Sequence, residues 1–199
     1  MDTSWNKNKA LLRGQAVEEP RLSHTNHGVE YYTFPLEVER LSGAEDVLNI
    51  VAAGPMLARC PVEAGASYQV EGEVRSYNNR SGVGRRLVIT LLARTISPDL
   101  RPCDNRLALA GTICKAPTLR RTPLGREICD LLLAVNRRYG RADYLPCIAW
   151  GSLARSCSTL EVGAPLSLTG RLQSRVYHKQ LGEIEEDRTA YEISIMSLL

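Results

Sequence analysis

The sequence predicts an all-β protein with short helices, built as two five-stranded Greek-key barrels in tandem. Two observations carry this prediction. The second half of the chain repeats the first at a shift of 97 positions. Each half also consists of short apolar or alternating runs that turn residues separate, which is typical of β-strands. We therefore expect a first domain over residues 1–97, a linker over residues 98–104 and a second domain over residues 105–199.

The repeat is recognised by glycines and a proline that stay in register over a long distance. One residue is inserted in the second half before the register resumes. The matched pairs are Gly14 with Gly111, Pro20 with Pro117, Gly28 with Gly125, Gly43 with Gly140, Gly54 with Gly151, Gly65 with Gly163 and Gly72 with Gly170. Chance does not keep these residues aligned for so long, so the chain is interpreted as a tandem duplication.

The predicted elements have the same order in both halves. One short helical segment, Ser152 to Thr159, falls between the third and fourth strands of the second half. The strands of that half are expected at Leu107 to Ile113, Ile128 to Val135, Tyr144 to Trp150, Leu166 to Leu172 and Tyr191 to Ile195. Those of the first half are expected near 8–17, 29–40, 46–53, 67–77 and 86–95. Five strands with a helix at this place match the OB-fold, a small barrel that commonly binds oligonucleotides.

Composition and short motifs argue against several classes of function but do not identify one. The formal net charge is +3, and the whole basic excess lies after Pro98. This bias fits a polyanionic partner or an ordinary solvated surface. The six cysteines form no Cys-x-x-Cys pair and lie at no zinc-finger spacing, so we expect buried, unpaired thiols. His24, Asn26 and His27 are interpreted as a polar turn. The sequence contains no catalytic signature, and we expect neither enzyme activity nor a metal or cofactor.

Aromatic and basic residues alternate along the second half. The candidate rings are Tyr139, Tyr144, Trp150 and Tyr177, and the candidate cations are Arg137, Arg138, Arg141, Arg171 and Arg175. Rings stack on unpaired bases and guanidinium groups contact phosphates, so this combination favours single-stranded nucleic acid as a ligand. Two simpler interpretations remain open at this point. The rings could pack within the sheet, and the arginines could form surface ion pairs.

Strand periodicity separates the two faces of the third strand. Tyr144 and Trp150 are six positions apart and therefore share one face. Leu145, Cys147 and Ala149 occupy the other face and are expected to point into the core. We therefore expect both rings on the open face of the barrel, although Trp150 could instead pack against the following helix.

Three segments resemble the bacterial single-stranded DNA-binding protein family. They are an opening Asn105 to Gly111 strand, a run from Leu133-Ala-Val-Asn-Arg-Arg-Tyr139 to Ala149-Trp-Gly151, and Gly170-Arg-Leu-Gln-Ser-Arg-Val-Tyr177. The resemblance implies sequence-independent binding of single-stranded DNA in replication, recombination or repair. It places the stacking rings at Tyr139, Tyr144, Trp150 and Tyr177. It also implies a homodimer, which would form a pseudo-tetramer of OB barrels in a bacterial, nucleoid-associated setting.

The first half lacks most of these residues. Ser42, Val47 and Ala53 stand where the second half has Tyr139, Tyr144 and Trp150. Asn79 stands opposite Tyr177, although Tyr77 is near enough for a small slip in register. Gly82-Val-Gly-Arg-Arg86 resembles a basic hairpin tip. We therefore expect the first barrel to serve structure or oligomerisation more than binding.

The chain stops directly after its last predicted strand, whereas the family's principal members end in an acidic tail. We therefore expect no recruitment of enzymes through such a tail. The start of the chain lacks a signal peptide and no apolar run is long enough to span a membrane, so a cytoplasmic protein is expected. Two alternatives stay open. One is a primosome or plasmid replication accessory that acts mainly by protein docking, and the other is an RNA-binding OB protein.

Overall fold

The computed structural model describes residues 7–79, 87–181 and 184–199, and the side chains of residues 177–188 lie outside this description. Three features singled out in the sequence therefore fall outside the described part. They are the basic segment from Gly82 to Arg86, the side chain of Tyr177, and the side chains of the acidic run from Glu183 to Asp187.

The described strands and helices follow the predicted order. The first half contains β1 (Asn8–Ala16), β2 (Arg21–Asn26), β3 (Val29–Glu39), β4 (Glu45–Ala53), α1 (Gly54–Arg59), β5 (Ser67–Asn78) and β6 (Leu87–Pro98). The second half contains β7 (Asp104–Arg121), β8 (Glu127–Asn136), a 3₁₀ turn (Arg138–Gly140), β9 (Ala142–Trp150), α2 (Ser152–Ser158), β10 (Pro165–Leu181) and β11 (Ile184–Leu198).

Strand pairing closes each half into a barrel. In the first half β1 pairs with β3 and β5, while β4 and β6 join β3 to β5. In the second half β7 pairs with β8 and β10, while β9 and β11 complete the circuit. A short helix follows the third barrel strand in both. The predicted fold class, all-β with short helices and OB-type barrels, is confirmed.

The two barrels share one continuous sheet. Strands β1 and β7 pair in antiparallel fashion, and Ala10 lies opposite Leu107. These two residues are equivalent under the 97-residue repeat, so an approximate twofold axis passes through this pair. The first and second barrels are therefore related much as the two subunits of a symmetric dimer would be.

Two of the repeated glycines are explained by close backbone contacts. A Cβ atom on Gly72 would lie 2.2 Å from the Leu92 carbonyl oxygen, and one on Gly170 would lie 2.4 Å from that of Ser194. Both glycines stand at a register shift between paired strands. Only glycine permits this approach, so each barrel retains it at the same bulge.

The strands extend further than apolar periodicity predicted. Strand β7 continues to Arg121 with two register shifts, whereas the sequence indicated an end at Ile113. Strand β2 was not predicted, because all six of its residues are exposed and polar residues predominate. These segments form hairpin arms beyond the barrel core, where no buried face imposes alternation. Pro117 is accommodated between paired positions of an irregular arm.

The cysteines are unpaired, but the expectation that they are buried is only partly correct. Cys129, Cys147 and Cys157 are buried, whereas Cys103 is exposed between the barrels. Burial raises the pKa of the Cys147 thiol well above its ordinary value, and that of Cys157 to about 11. The three buried thiols therefore act as small apolar side chains.

A buried carboxylate joins the second barrel to the first. Asp143 is fully buried and accepts hydrogen bonds from two guanidinium nitrogens of Arg137, with Nε at 2.6 Å from Oδ2. From the first barrel, Arg75 Nη1 donates to the same carboxylate at 3.0 Å and the Ser76 backbone N–H at 2.5 Å. Arg137 also donates to the Ser76 carbonyl oxygen at 2.8 Å. We call these four residues the Asp143 clamp.

The repeat places a second clamp at the equivalent contact. Asp46 is fully buried, accepts from Arg40 Nε at 2.6 Å, and receives the Ser174 backbone N–H at 2.6 Å. Arg40 in turn donates to the Ser174 carbonyl oxygen at 2.9 Å. Asp46 and Arg40 are the repeat partners of Asp143 and Arg137. We call Arg40, Asp46 and Ser174 the Asp46 clamp.

Replacing Asp143 with alanine should strongly destabilise the protein. The change leaves buried donors of Arg137 and Ser76 without an acceptor, and breaking a buried pair in this way costs roughly 3–5 kcal/mol. The measurement is the free energy of unfolding from urea denaturation followed by circular dichroism. Asp130→Ala is the matched control, because its ion pair with Arg120 is solvent-exposed and should contribute less than about 1 kcal/mol. Equal losses in the two variants would contradict a structural role for the clamp.

Candidate nucleic-acid interface

The outer face of β9 carries two of the predicted rings. Leu145, Cys147 and Ala149 are buried in the core, as the alternation predicted. On the opposite face Tyr144 is 50% exposed and Trp150 is 39% exposed. Six residues of extended strand separate their positions by roughly 20 Å. The outer face therefore presents one ring near each end of the strand.

Tyr139 lies in the turn that leads into β9. Its side chain is 96% exposed, so it contributes no packing to the core. Its backbone has a positive φ of 64°, in the left-handed region that non-glycine residues rarely adopt. The turn is closed by a hydrogen bond from the Arg137 N–H to the Arg141 carbonyl oxygen at 2.7 Å. This geometry holds the ring out in solvent close to the start of β9.

An ion pair occupies the middle of the same face. Asp130 lies opposite Ile148 on the neighbouring strand and accepts a hydrogen bond from Arg120 Nε at 2.5 Å. This hydrogen bond raises the pKa of the Arg120 guanidinium, and the nearby charge of Glu192 acts in the same direction. Ile148 itself is buried. The face thus has aromatic ends and a charged, internally paired centre.

Two of the predicted arginines belong to the segment that carries Tyr139. Arg138 begins the turn, Arg141 directly follows it, and both are exposed. Neither forms an ion pair within the described part of the chain. Their guanidinium groups are therefore available to an anionic ligand at the aromatic end of the face.

The structure places the predicted site residue Arg137 within the Asp143 clamp. Its guanidinium is held by Asp143 and by the Ser76 carbonyl oxygen, so its donors are used within the Asp143 clamp. The spacing of Arg137, Arg138 and Arg141 along the chain could not indicate which of them is bound within the protein. A signal in the sequence did set Arg137 apart. The repeat aligns Arg137 and Asp143 with Arg40 and Asp46, so the same arginine and aspartate pair occurs in both halves.

The predicted arginines lie in two different parts of the structure. Arg175 follows Ser174 and therefore lies at the Asp46 clamp, whereas Tyr144 lies at the Asp143 clamp. Arg175 is 53% exposed at its side chain, with Nε 3.9 Å from Glu192 Oε1. Arg171 donates to Gln173 at 3.3 Å and lines a groove beside β1 and β7. Both arginines thus belong to β10 and not to the Tyr139 turn.

Tyr177 lies on β10, where its backbone pairs with Arg188. Its side chain is outside the described part of the structure. Its assignment as a stacking residue stays a prediction.

Equivalent strand pairs locate the aromatic residues that distinguish the barrels. Trp150 lies opposite Ile128 in the second barrel, and Ala53 lies opposite Tyr31 in the first. At this pair the aromatic residue therefore stands on the neighbouring strand of the first barrel. Tyr31 stacks on His24, with ring centroids 5.0 Å apart and an interplanar angle of 5°. The sequence interpretation missed this ring because the alignment pairs it with an aliphatic residue.

Among the described residues, no three His, Cys, Asp or Glu side chains come close enough to form a metal site. The helices found there are also too short and too polar to cross a membrane.

Comparison with known proteins agrees with the resemblance seen in the second half. Residues 104–198 match the model of the single-strand binding protein family. Single-stranded DNA-binding protein A of Bacillus subtilis (strain 168) is 36% identical over 86 residues, which cover 40% of this chain and 50% of that protein. Single-stranded DNA-binding protein 2 of Listeria innocua is 34% identical over 86 residues, covering 40% and 54%. The chain spans about half the length of these relatives.

The fold comparison extends over both barrels. The solved structure of wild-type single-stranded DNA binding protein from Thermus aquaticus has a TM-score of 0.78. The match covers 96% of this chain and 91% of that one at 24% sequence identity. This likeness shows a shared fold across both halves. The match to the single-strand binding protein family model lies within the second barrel, at residues 104–198.

Proposed function

We propose that this protein binds single-stranded DNA with little sequence preference and protects it during replication, recombination or repair. The observation that carries the proposal is the exposure of three rings, Tyr144 and Trp150 on the outer face of β9 and Tyr139 in the turn before it. Base stacking requires rings with a solvent-accessible face, and each stacked base contributes roughly 1–3 kcal/mol. The match of this half to the single-strand binding family supports the same ligand.

Arg138 and Arg141 supply the electrostatic part of the proposed interface. They lie one residue before and two residues after Tyr139 in the chain, so a base stacked on this ring would bring its phosphates near both arginines. Each phosphate neutralised releases counterions and contributes roughly −0.7 to the slope of log affinity against log salt. We include Arg171, Arg175 and Tyr177 as a second group on β10, reached only by a longer strand. Arg137 is assigned to the clamp.

We propose a division of labour between the barrels. The second domain, residues 105–199, would bind DNA, while the first, residues 1–97, would hold its partner barrel in place. Val47 and Ala53 support this division, because they occupy the positions of Tyr144 and Trp150 in the matching strand pairs. A small aliphatic side chain offers no aromatic face to a base.

Removing the Trp150 ring should weaken binding of an oligo-dT strand. Trp150→Ala is expected to lose roughly 1–3 kcal/mol of binding free energy, because one base loses its stacking partner. The measurement is fluorescence anisotropy of labelled oligo-dT at several salt concentrations. Val162→Ala is the control, since Val162 is exposed in a loop away from β9. Unchanged affinity in Trp150→Ala would remove this ring from the proposed interface.

The same assay separates the remaining alternatives. Competition between oligo-dT and oligo-rU of equal length tests discrimination against RNA, which depends on the 2′-hydroxyl. Preference for oligo-rU would favour an RNA-binding protein. Absence of oligo-dT binding by the unaltered protein at low salt would contradict the proposed function and favour a protein-docking accessory.

We further propose that two chains associate through the outer face of the β1–β7 junction. A groove of about 760 Å³ lies there, lined in part by Leu11, Arg106, Ala108 and Met196. Leu11 lies opposite Arg106 in the shared sheet, close to the approximate twofold axis. A second copy seated on this face would bring four barrels together with pseudo-tetrameric symmetry.

Leu11→Glu should therefore convert a dimer into a monomer, because it replaces an apolar side chain at the proposed contact by a charged one that association would have to desolvate. Sedimentation equilibrium at micromolar concentration measures the mass. Leu22→Glu, an equally drastic change on the exposed strand β2, should leave the dimer intact. A monomeric unaltered protein would contradict the assignment of this face.

A further inference from the structure

We propose that Tyr77, on the first barrel, stacks a base beside Tyr144 of the second barrel. The bound strand would then cross from one barrel onto the other at the Asp143 clamp. This inference rests on the proposed function and extends it, because it adds a contact from the barrel that lacks the matching rings. It also assigns a path to the strand.

The position of Tyr77 follows from the contact between β5 and β9. The backbone N–H of Tyr144 donates to Ser76 Oγ at 2.7 Å, and the N–H of Ser76 donates to Asp143 at 2.5 Å. Ser76 is therefore locked against the first residues of β9. Tyr77 is the next residue along β5, so its backbone lies immediately beside the strand that carries Tyr144.

The face that Tyr77 occupies also points toward the junction. Side chains two residues apart share one face of a strand, so Tyr77 shares its face with Arg75. Arg75 reaches across the junction and donates to Asp143 Oδ2 at 3.0 Å. Asp143 directly precedes Tyr144. Tyr77 thus lies on the same face of β5 as the arginine that reaches the buried carboxylate of the second barrel.

Exposure indicates that Tyr77 is not a packing residue. Its side chain is 55% exposed, close to the 50% of Tyr144, whereas Ser76 between the two strands is buried. The hydrogen bonds of Ser76 fix the backbone beside Tyr77, while the tyrosine ring itself stays exposed to solvent. Such a ring is prepared for stacking at low entropic cost.

The two clamps show which residues of β5 and β10 are equivalent under the repeat. Ser76 and Ser174 make the same contacts with Asp143 and Asp46, so they are equivalent. Tyr77 therefore corresponds to Arg175, and Val47 to Tyr144. A slip that would align Tyr77 with Tyr177 is incompatible with these contacts. The Asp143 clamp thus has two exposed tyrosines beside it, while the Asp46 clamp has a valine and an arginine.

The test compares oligo-dT binding by the full chain with binding by Tyr77→Ala and Tyr77→Phe. Tyr77→Ala should weaken binding roughly 5- to 150-fold, the range for loss of one stacking ring. Tyr77→Phe keeps the ring and should bind within roughly twofold of the unaltered protein. Leu22→Ala is the matched control, because Leu22 is 58% exposed on the first barrel but stands on β2.

Photocrosslinking gives a second readout that a merely structural role would not move. Oligo-dT carrying 5-iododeoxyuridine should crosslink to Tyr77 and to Phe at that position, and peptide mass spectrometry would locate the adduct. Unchanged affinity in Tyr77→Ala without a crosslink at position 77 would overturn this inference and leave the proposed function standing. If the unaltered protein binds no oligo-dT, both the inference and the proposed function fail.

Discussion

The arrangement of the two barrels depends on the burial of Asp46 and Asp143. Each carboxylate is fully enclosed, paired with an arginine of its own barrel, and bonded to a backbone N–H of the other barrel. A buried charge without such partners would be strongly destabilising. The contacts therefore restrict how the barrels can be oriented, beyond what the apolar contacts between them require. Pairing of β1 with β7 places the approximate twofold axis, and the two clamps hold the barrels around it.

This shared framework supports two different surfaces. The backbone contacts at the clamps are the same, yet the exposed side chains beside them diverge. Tyr144 and Tyr77 flank the Asp143 clamp, whereas Val47 and Arg175 flank the Asp46 clamp. A duplicated chain can change exposed residues at little cost in stability, since surface substitutions rarely alter the free energy of unfolding by much. Under the proposed function, this asymmetry would give a bound strand a preferred path over one junction.

Much of the fold could be predicted from the sequence. The repeated glycines indicated the duplication, and the alternation around Leu145 and Cys147 identified the two faces of β9. Apolar patterning could not reveal β2 or the outer part of β7, because neither faces a core. The site was predicted less completely. Arg137 and Arg138 are adjacent in the chain, and their spacing alone did not indicate that the first is bound to Asp143. The contact between Ser76 and Tyr144 spans 68 positions, so local spacing gave no signal for Tyr77.

Hydrogen exchange of the full chain with and without oligo-dT would locate the path of the bound strand. A path over the Asp143 clamp predicts slower exchange around the Tyr139 turn, at the start of β9 and at the end of β5 near Tyr77. It predicts little change in the hairpin of β2 and β3, which lies away from the Asp143 clamp. Two results would contradict a DNA path across this single junction. One is that oligo-dT slows amide exchange equally in the segments around Val47 and Tyr144, and the other is that it slows exchange only in the β2–β3 hairpin.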